Sequence, residues 1–279
     1  MYLLKHTVYH LKDIFPFLGE NGRDPRLTTY LPYNMVEMGR QDRLRPCLLI
    51  CPGGGYTFNS EREAETIAVH FLPEGYNVFI LNYSVAPNRF PCQLREVAAA
   101  MELIHANAKE WNCDVSRIAI MGFSAGGHLS AHYSNSYDIP EVREVFPDSK
   151  PVKLSVLSYP VITPDPRHAH TGSFHALTGH YPLTEAETEK FDCHKLVTGR
   201  TPPAFLWSTS NDEIVPVMNS LLYAQALTAH GVPYSLHIYP KGFHGLCTAD
   251  DQTNDTLDPL TALTSDWLPT VKKWLKQTL

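Results

Sequence analysis

The sequence predicts an α/β fold: a mainly parallel sheet flanked by helices, with a small cap-like insertion. Two observations lead there. Continuous apolar runs, as in strands buried on both faces, alternate along the chain with segments of helical period. In addition, "RIAIMGFSAGGHLSAHYS" (117–134) passes from an apolar strand to a helix through a turn rich in glycine, with Ser124 at its centre.

The elements follow in order. Residues 5–10 and 27–31 read as antiparallel edge strands. "CLLIC" (47–51) and "NVFILNY" (77–83) read as core strands. "QLREVAAAMELIHANAKEW" (93–111) is a helix with Val97, Met101, Leu103, Ile104 and Ala108 towards the core. "RIAIMG" (117–122) is the next strand, and the helix after Ser124 follows it. "VKLSVLSYP" (152–160), "AFLWSTS" (204–210) and "YSLHIYP" (234–240) are further strands. The helix 217–231 stops at Gly231, which accepts the left-handed conformation of a helix end. Residues 263–279 form a last helix, irregular at Pro269. Residues 162–202 break the alternation, being polar and rich in Pro, Gly and His. Thr184 and Glu187 have the spacing of a capping box for one short helix there. The expectation is one domain, 1–279, with a cap at about 162–202.

Composition narrows the function classes. With 279 residues, 43% hydrophobic and 19% charged, the chain can bury a large core. A net charge of −6 without basic runs argues against nucleic acid or an anionic membrane as partner. The N-terminus shows no signal-peptide pattern, and no apolar stretch approaches the roughly 18 residues that span a bilayer. The six cysteines lack metal-type spacing. Cys47 and Cys51, about 13 Å apart along a strand, cannot bridge. Idle thiols in a reducing cytoplasm are the expectation. Oligomeric state is not legible, and a homo-oligomer stays open.

Gly122-Phe123-Ser124-Ala125-Gly126 is G-x-S-x-G between a strand and a helix. The turn must be sharp, and the residues two before and two after Ser124 nearly touch. It lifts the hydroxyl above the C-terminal edge of the sheet, with the helix N-terminus aimed at the site. A nucleophilic serine needs a base, and the base an orienting acid, here in the chain order Ser, acid, His. Asp212 in "STSNDEIVP" and His244 in "YPKGFHGL" each follow a strand at that same edge. Glu213 is the alternative acid, but Asp212 begins the pattern D-x-x-V-P. Asp250 and Asp251 read as solvated, and His128 and His132 as structural. "CPGGGYTF" (51–58) offers backbone donors. The Gly53 and Gly54 amides, with that of Ala125, are the expected oxyanion hole.

With these residues the chain resembles the α/β-hydrolase superfamily, and more closely its bacterial carbohydrate esterase branch of acetylxylan-esterase-like and feruloyl-esterase-like serine esterases. The pieces that carry the resemblance are "CPGGGY", "NYSVAPNRFP", "GFSAGGHLSAHYS", "STSNDEIVPVMNS" and "YPKGFHGL". Pro52 stands where similar proteins often have His, and Ser84 where Arg is usual. The resemblance implies an acetylesterase-like serine hydrolase acting on a small-molecule or oligosaccharide ester, such as acetylated xylan, with neither metal nor cofactor. Tyr56, Phe123, Phe174, His175 and Tyr181 are the expected substrate contacts. Phe58, Phe123, Tyr56 and His128 are bulky enough to close a short acyl pocket. Rival readings are an arylformamidase with the same triad, a peptidase of the prolyl-oligopeptidase type, and a non-catalytic binding module. His168, His170, His175, His180 and His194 make the insertion a candidate metal site, although solvated or substrate-facing imidazoles are preferred.

Overall fold

A computed structural model describes residues 4–18, 22 and 24–279. The chain runs β1 (Leu4–His10), α1 (Leu11–Ile14), β2 (Arg26–Pro32), β3 (Arg45–Cys51), α2 (Glu65–Phe71), β4 (Asn77–Asn82), α3 (Cys92–Ala106) and β5 (Cys113–Phe123). It continues through α4 (Ala125–Ser136), α5 (Pro140–Arg143), β6 (Leu154–Ser158), α6 (Thr171–Thr178), α7 (Glu185–Phe191) and β7 (Ala204–Thr209). The last elements are α8 (Met218–Ala229), β8 (Tyr234–Tyr239), α9 (Pro259–Ala262) and α10 (Trp267–Thr278).

The strands form one sheet in the order β1-β2-β4-β3-β5-β6-β7-β8. From β4 to β8 all neighbours are parallel, while β1 and β2 are antiparallel additions at one edge. Alternation along each strand splits the core. Cys47, Leu49, Cys51 and Ile120 face α3 and α4, through Val97, Met101, Ile104, Leu129 and Tyr133. Leu48, Ile50, Met121 and Phe123 face α2 and α10, through Ile67, Phe71, Trp267 and Val271. Strands buried on both faces explain the unbroken apolar runs.

The topology also fixes where a site can form. The chain leaves β3 for β4 on one side, then crosses back to β5 on the other. The loops after β3 and β5 therefore diverge, and the crevice between them is the usual ligand site of an open parallel sheet. The loop after β3 carries Gly53 and Gly54, and the turn after β5 is Ser124.

Several expected boundaries move for local reasons. The helix expected over 93–111 ends at Ala106, where Asn107 Nδ2 donates to the Leu103 carbonyl at 2.8 Å and caps the last turn. Pro269 falls in the first turn of α10, where no intrahelical N–H is missed, so the helix is regular. α2 has too few residues to show a helical period and was not expected. In the insertion, Thr184 and Glu187 form the reciprocal capping box at the start of α7.

Candidate active site

Ser124 has φ 53° and ψ −118°, a conformation sterically disfavoured for a residue with a Cβ. Neighbours hold it there. Its N–H donates to the Ser158 carbonyl and its own carbonyl accepts from Val161 N–H, both at 3.0 Å. The flanking glycines are required by contact. A Cβ on Gly122 would lie 2.1 Å from the Gly126 carbonyl oxygen, and one on Gly126 would lie 2.1 Å from that of Cys51.

The structure brings the three expected residues together. His244 Nε2 lies 2.7 Å from Ser124 Oγ, and His244 Nδ1 lies 2.7 Å from Asp212 Oδ2. Asp212 Oδ1 accepts from the Ile214 and Val215 N–H groups, each at 2.9 Å. These bonds orient the carboxylate, whose side chain is 1% exposed. Glu213 takes no part in this chain of bonds. Asn211 Oδ1 accepts from Gly242 N–H at 2.8 Å and so joins the acid loop to the base loop. The Tyr159 ring backs the imidazole edge-on at 5.0 Å.

The expected oxyanion donors divide. Among the described residues, the N–H groups of Gly54 and Ala125 find no protein acceptor. The Gly53 N–H is spent, donating to Glu63 Oε2 at 2.8 Å. Gly53 is thus corrected from donor to spacer. A Cβ there would stand 2.9 Å from the Phe123 carbonyl oxygen and 3.0 Å from Ser124 Cβ. Only glycine lets the loop press against the nucleophile turn. Glu63 was not singled out from the sequence. It lies in a polar stretch, and nothing local marks its partners.

The expected substrate contacts fare differently. Phe123 is fully buried against Tyr159 and Trp267, and Phe174 is packed on His128. Tyr56 is also buried, with its hydroxyl bonded to His128 Nδ1 at 2.8 Å. These three rings are core packing, so their assignment as contacts is corrected. So is the expectation that Phe123, Tyr56 and His128 wall an acyl pocket, whereas Phe58 is exposed. His175 is exposed on α6, and the Tyr181 hydroxyl donates to the Pro164 carbonyl at 3.0 Å.

The insertion reaches the site through His170. Its Cε1 lies 3.6 Å from where a Cβ on Gly55 would sit, and its Nδ1 is 2.7 Å from Ser173 Oγ. Burial lowers its pKa, as does the nearby His244, against the pull of Asp212. The other insertion histidines are dispersed: His180 pairs with Glu187 at 2.9 Å and His194 with Asp192 at 2.5 Å. Among the described residues no group of three His, Cys, Asp or Glu side chains could hold a metal ion.

His244 also lines a groove of about 340 Å³. Phe243, Ile214 and Leu257 supply its apolar surface, and Asn211, Glu213 and Lys241 polar groups. Phe243 and Ile214 are 53% and 52% exposed. Among the described residues no helix is long and apolar enough to cross a membrane.

Comparison with known proteins finds relatives of this chain. Over 234 residues, 80% of this chain, the sequence is 37% identical to endo-1,4-beta-xylanase B of Butyrivibrio fibrisolvens. It is 33% identical over 198 residues, 70% of the chain, to an acetylxylan esterase of Xylanibacter ruminicola. The matches cover 36% and 39% of those proteins, so the chain spans little more than a third of their length. The crystal structure of an acetyl ester-xyloside bifunctional hydrolase from Caldicellulosiruptor lactoaceticus superposes with a TM-score of 0.81 at 35% identity. That match covers 97% of this chain and 96% of the other. Residues 35–227, well over half the chain, match the family model BD-FAE. Built on the parallel sheet and nucleophile turn of the α/β-hydrolase fold, the chain belongs to the BD-FAE family.

Proposed function

We propose that the protein is a serine esterase that removes short acyl groups, acetyl first among them, from carbohydrate through an acyl-enzyme. The observation that carries this is the unbroken chain Ser124–His244–Asp212, with both bonds at 2.7 Å. His244 Nε2 takes the Ser124 proton as Oγ attacks the ester carbonyl. The resulting oxyanion is received by the N–H of Gly54, in the loop after β3, and that of Ala125, at the N-terminus of α4. His244 then gives the proton to the departing alkoxide. Water, deprotonated by the same imidazole, attacks the acyl-enzyme; the imidazolium returns that proton to the departing Ser124 Oγ as acetate is released. Asp212 keeps Nδ1 protonated and stabilises the imidazolium. This chemistry calls for neither metal nor cofactor.

The carbohydrate alcohol is supported by what the relatives are named for: xylanase, acetylxylan esterase and acetyl ester-xyloside hydrolase. It is supported also by the groove beside His244. The alcohol leaves on the side of the group that protonates it, and the exposed Phe243 ring there offers a face to a sugar. Cys47, Cys51, Cys113, Cys193 and Cys247 are buried thiols outside any disulfide, which fits a reducing compartment such as the cytoplasm.

The test is kcat/KM for p-nitrophenyl esters from acetate to octanoate, beside acetate release from acetylated xylo-oligosaccharide and hydrolysis of N-formylkynurenine. The expected order puts acetate first, with one acetyl group trapped on Ser124 after quenching. Rates that climb towards octanoate would overturn the short-acyl reading. Faster turnover of formylkynurenine would make the protein an amidase, and no turnover of any kind would make it a binding module.

A further inference from the structure

Glu63 is 3% exposed, and both its carboxylate oxygens accept hydrogen bonds. Oε2 takes the Gly53 N–H at 2.8 Å. Oε1 takes the Tyr159 hydroxyl at 2.6 Å. The Tyr159 oxygen in turn accepts from Cys247 N–H at 3.2 Å, three residues beyond His244. Among the described residues no lysine or arginine pairs with Glu63. A carboxylate buried without a cation is costly to desolvate, so these hydrogen bonds must compensate for it.

The partners are not arbitrary. Gly53 immediately precedes Gly54, the donor that the glycine loop leaves free. Tyr159 follows β6 with φ 35°, and its ring is the surface against which the His244 imidazole rests. The Arg62 carbonyl accepts from Cys247 Sγ at 2.8 Å, so the segment that carries Glu63 is itself fastened to the base loop. One side chain therefore touches both halves of the machinery without reaching the reacting atoms.

We propose that Glu63 is a positioning residue that holds the oxyanion loop and the base loop in one register, acting on the first through Gly53 and on the second through Tyr159. In its absence the Gly53 N–H is buried without an acceptor and the loop must turn to satisfy it, carrying Gly54 with it. The Tyr159 hydroxyl likewise loses its acceptor, and the wall behind His244 loosens. Such a fault penalises the transition state, in which the oxyanion and the imidazolium exist together, more than substrate binding.

The inference rests on the serine-esterase reading but not on the sugar. If that reading fails, the unaltered protein shows no turnover; if this one fails, turnover persists in the variants. The variants are Glu63→Gln, which keeps one acceptor, and Tyr159→Phe, which keeps the ring and removes the hydroxyl. The substrate is p-nitrophenyl acetate, and phenylboronic acid serves as the tetrahedral analogue. Glu63→Gln should lower kcat by roughly tenfold to a hundredfold. KM should stay within about threefold, and phenylboronic acid affinity should fall in step with kcat/KM. Tyr159→Phe should show the same pattern more weakly, and the double variant should be no worse than Glu63→Gln alone. Melting temperatures establish that each variant is folded. A folded Glu63→Gln with unchanged kcat and boronate affinity, or with its loss confined to KM, overturns the proposal. Losses that simply multiply in the double variant overturn the part played by Tyr159.

Discussion

His128 Nε2 lies 2.9 Å from the Phe191 carbonyl oxygen, while its Nδ1 accepts from the Tyr56 hydroxyl at 2.8 Å. One imidazole thus joins the nucleophile helix, the insertion and the glycine loop. The bonding requires the neutral tautomer with the proton on Nε2, and burial pushes the pKa down from 6.5 to about 4.

A pH dependence follows. Between about pH 4 and 6.5 the unfolded chain binds a proton at His128 that the folded chain does not. The stability from keeping His128 neutral is complete above 6.5 and is lost as pH falls towards 4, at up to about 1.4 kcal/mol per pH unit. Buried His132 is lowered in the same direction. Glu96, raised to about 8 by burial, opposes them over much of this range, so the informative quantity is a difference between two curves. His128→Gln should lower the melting temperature at pH 7, and the gap from the unaltered protein should narrow steadily down to pH 4.5. A gap that stays constant would show that His128 does not titrate in this way.

Asp212→Asn should keep the fold, because the amide oxygen can still accept from Ile214 and Val215. The amide nitrogen, however, would face His244 Nδ1 and favour the wrong tautomer. A loss of about four orders of magnitude in kcat is expected, by the logic of a triad acid. Glu213→Gln, outside the Ser124–His244–Asp212 bonds, should retain nearly full kcat towards ethyl acetate, whose alcohol does not extend along the groove. The reverse ranking would exchange the two acids.

Gly126→Ala should destabilise by at least about 3 kcal/mol or prevent folding, since its Cβ meets the Cys51 and Pro52 carbonyl oxygens at 2.1 and 2.3 Å. Gly199→Ala is the control, with nothing within 4 Å of its added Cβ. It should change stability by less than about 0.5 kcal/mol. Urea unfolding of both variants decides. Equal midpoints would mean that the elbow relaxes around a methyl group.

Phe243→Ala should raise KM for acetylated xylo-oligosaccharide several-fold and leave ethyl acetate almost unaffected, because only the larger alcohol extends along the groove. If the variant instead changes the ranking of acetate against butyrate esters, the groove holds the acyl chain and the sugar lies elsewhere.

The meeting of Ser124, His244 and Asp212 was legible because each sits where an apolar run gives way to turn residues, and a parallel sheet sends all such strand ends to one edge. Helix and strand boundaries failed where a single side chain decides, as Asn107 does at the end of α3. The substrate contacts failed for a different reason. On one short helix Phe174 is buried and its neighbour His175 exposed, and aromatic character does not say which is outside. Phe123 shares the inner face of β5 with Met121, so alternation places it in the core. Glu63 was invisible because Gly53 lies 10 positions back in the same loop and Tyr159 96 positions on, and no sequence pattern encodes either hydrogen bond.

The bond between Ser124 and His244 spans 120 positions of sequence. Contacts so distant must close a long loop of chain before anything repays the lost entropy. The scaffold of β3, β4 and β5 is complete well before His244 has been synthesised. A growing polypeptide therefore carries Ser124 for some time without the imidazole that bonds it. Chemical competence arrives as a late event of biosynthesis, and a nascent chain stalled anywhere short of β8 should be inert towards a fluorophosphonate even with its central strands paired.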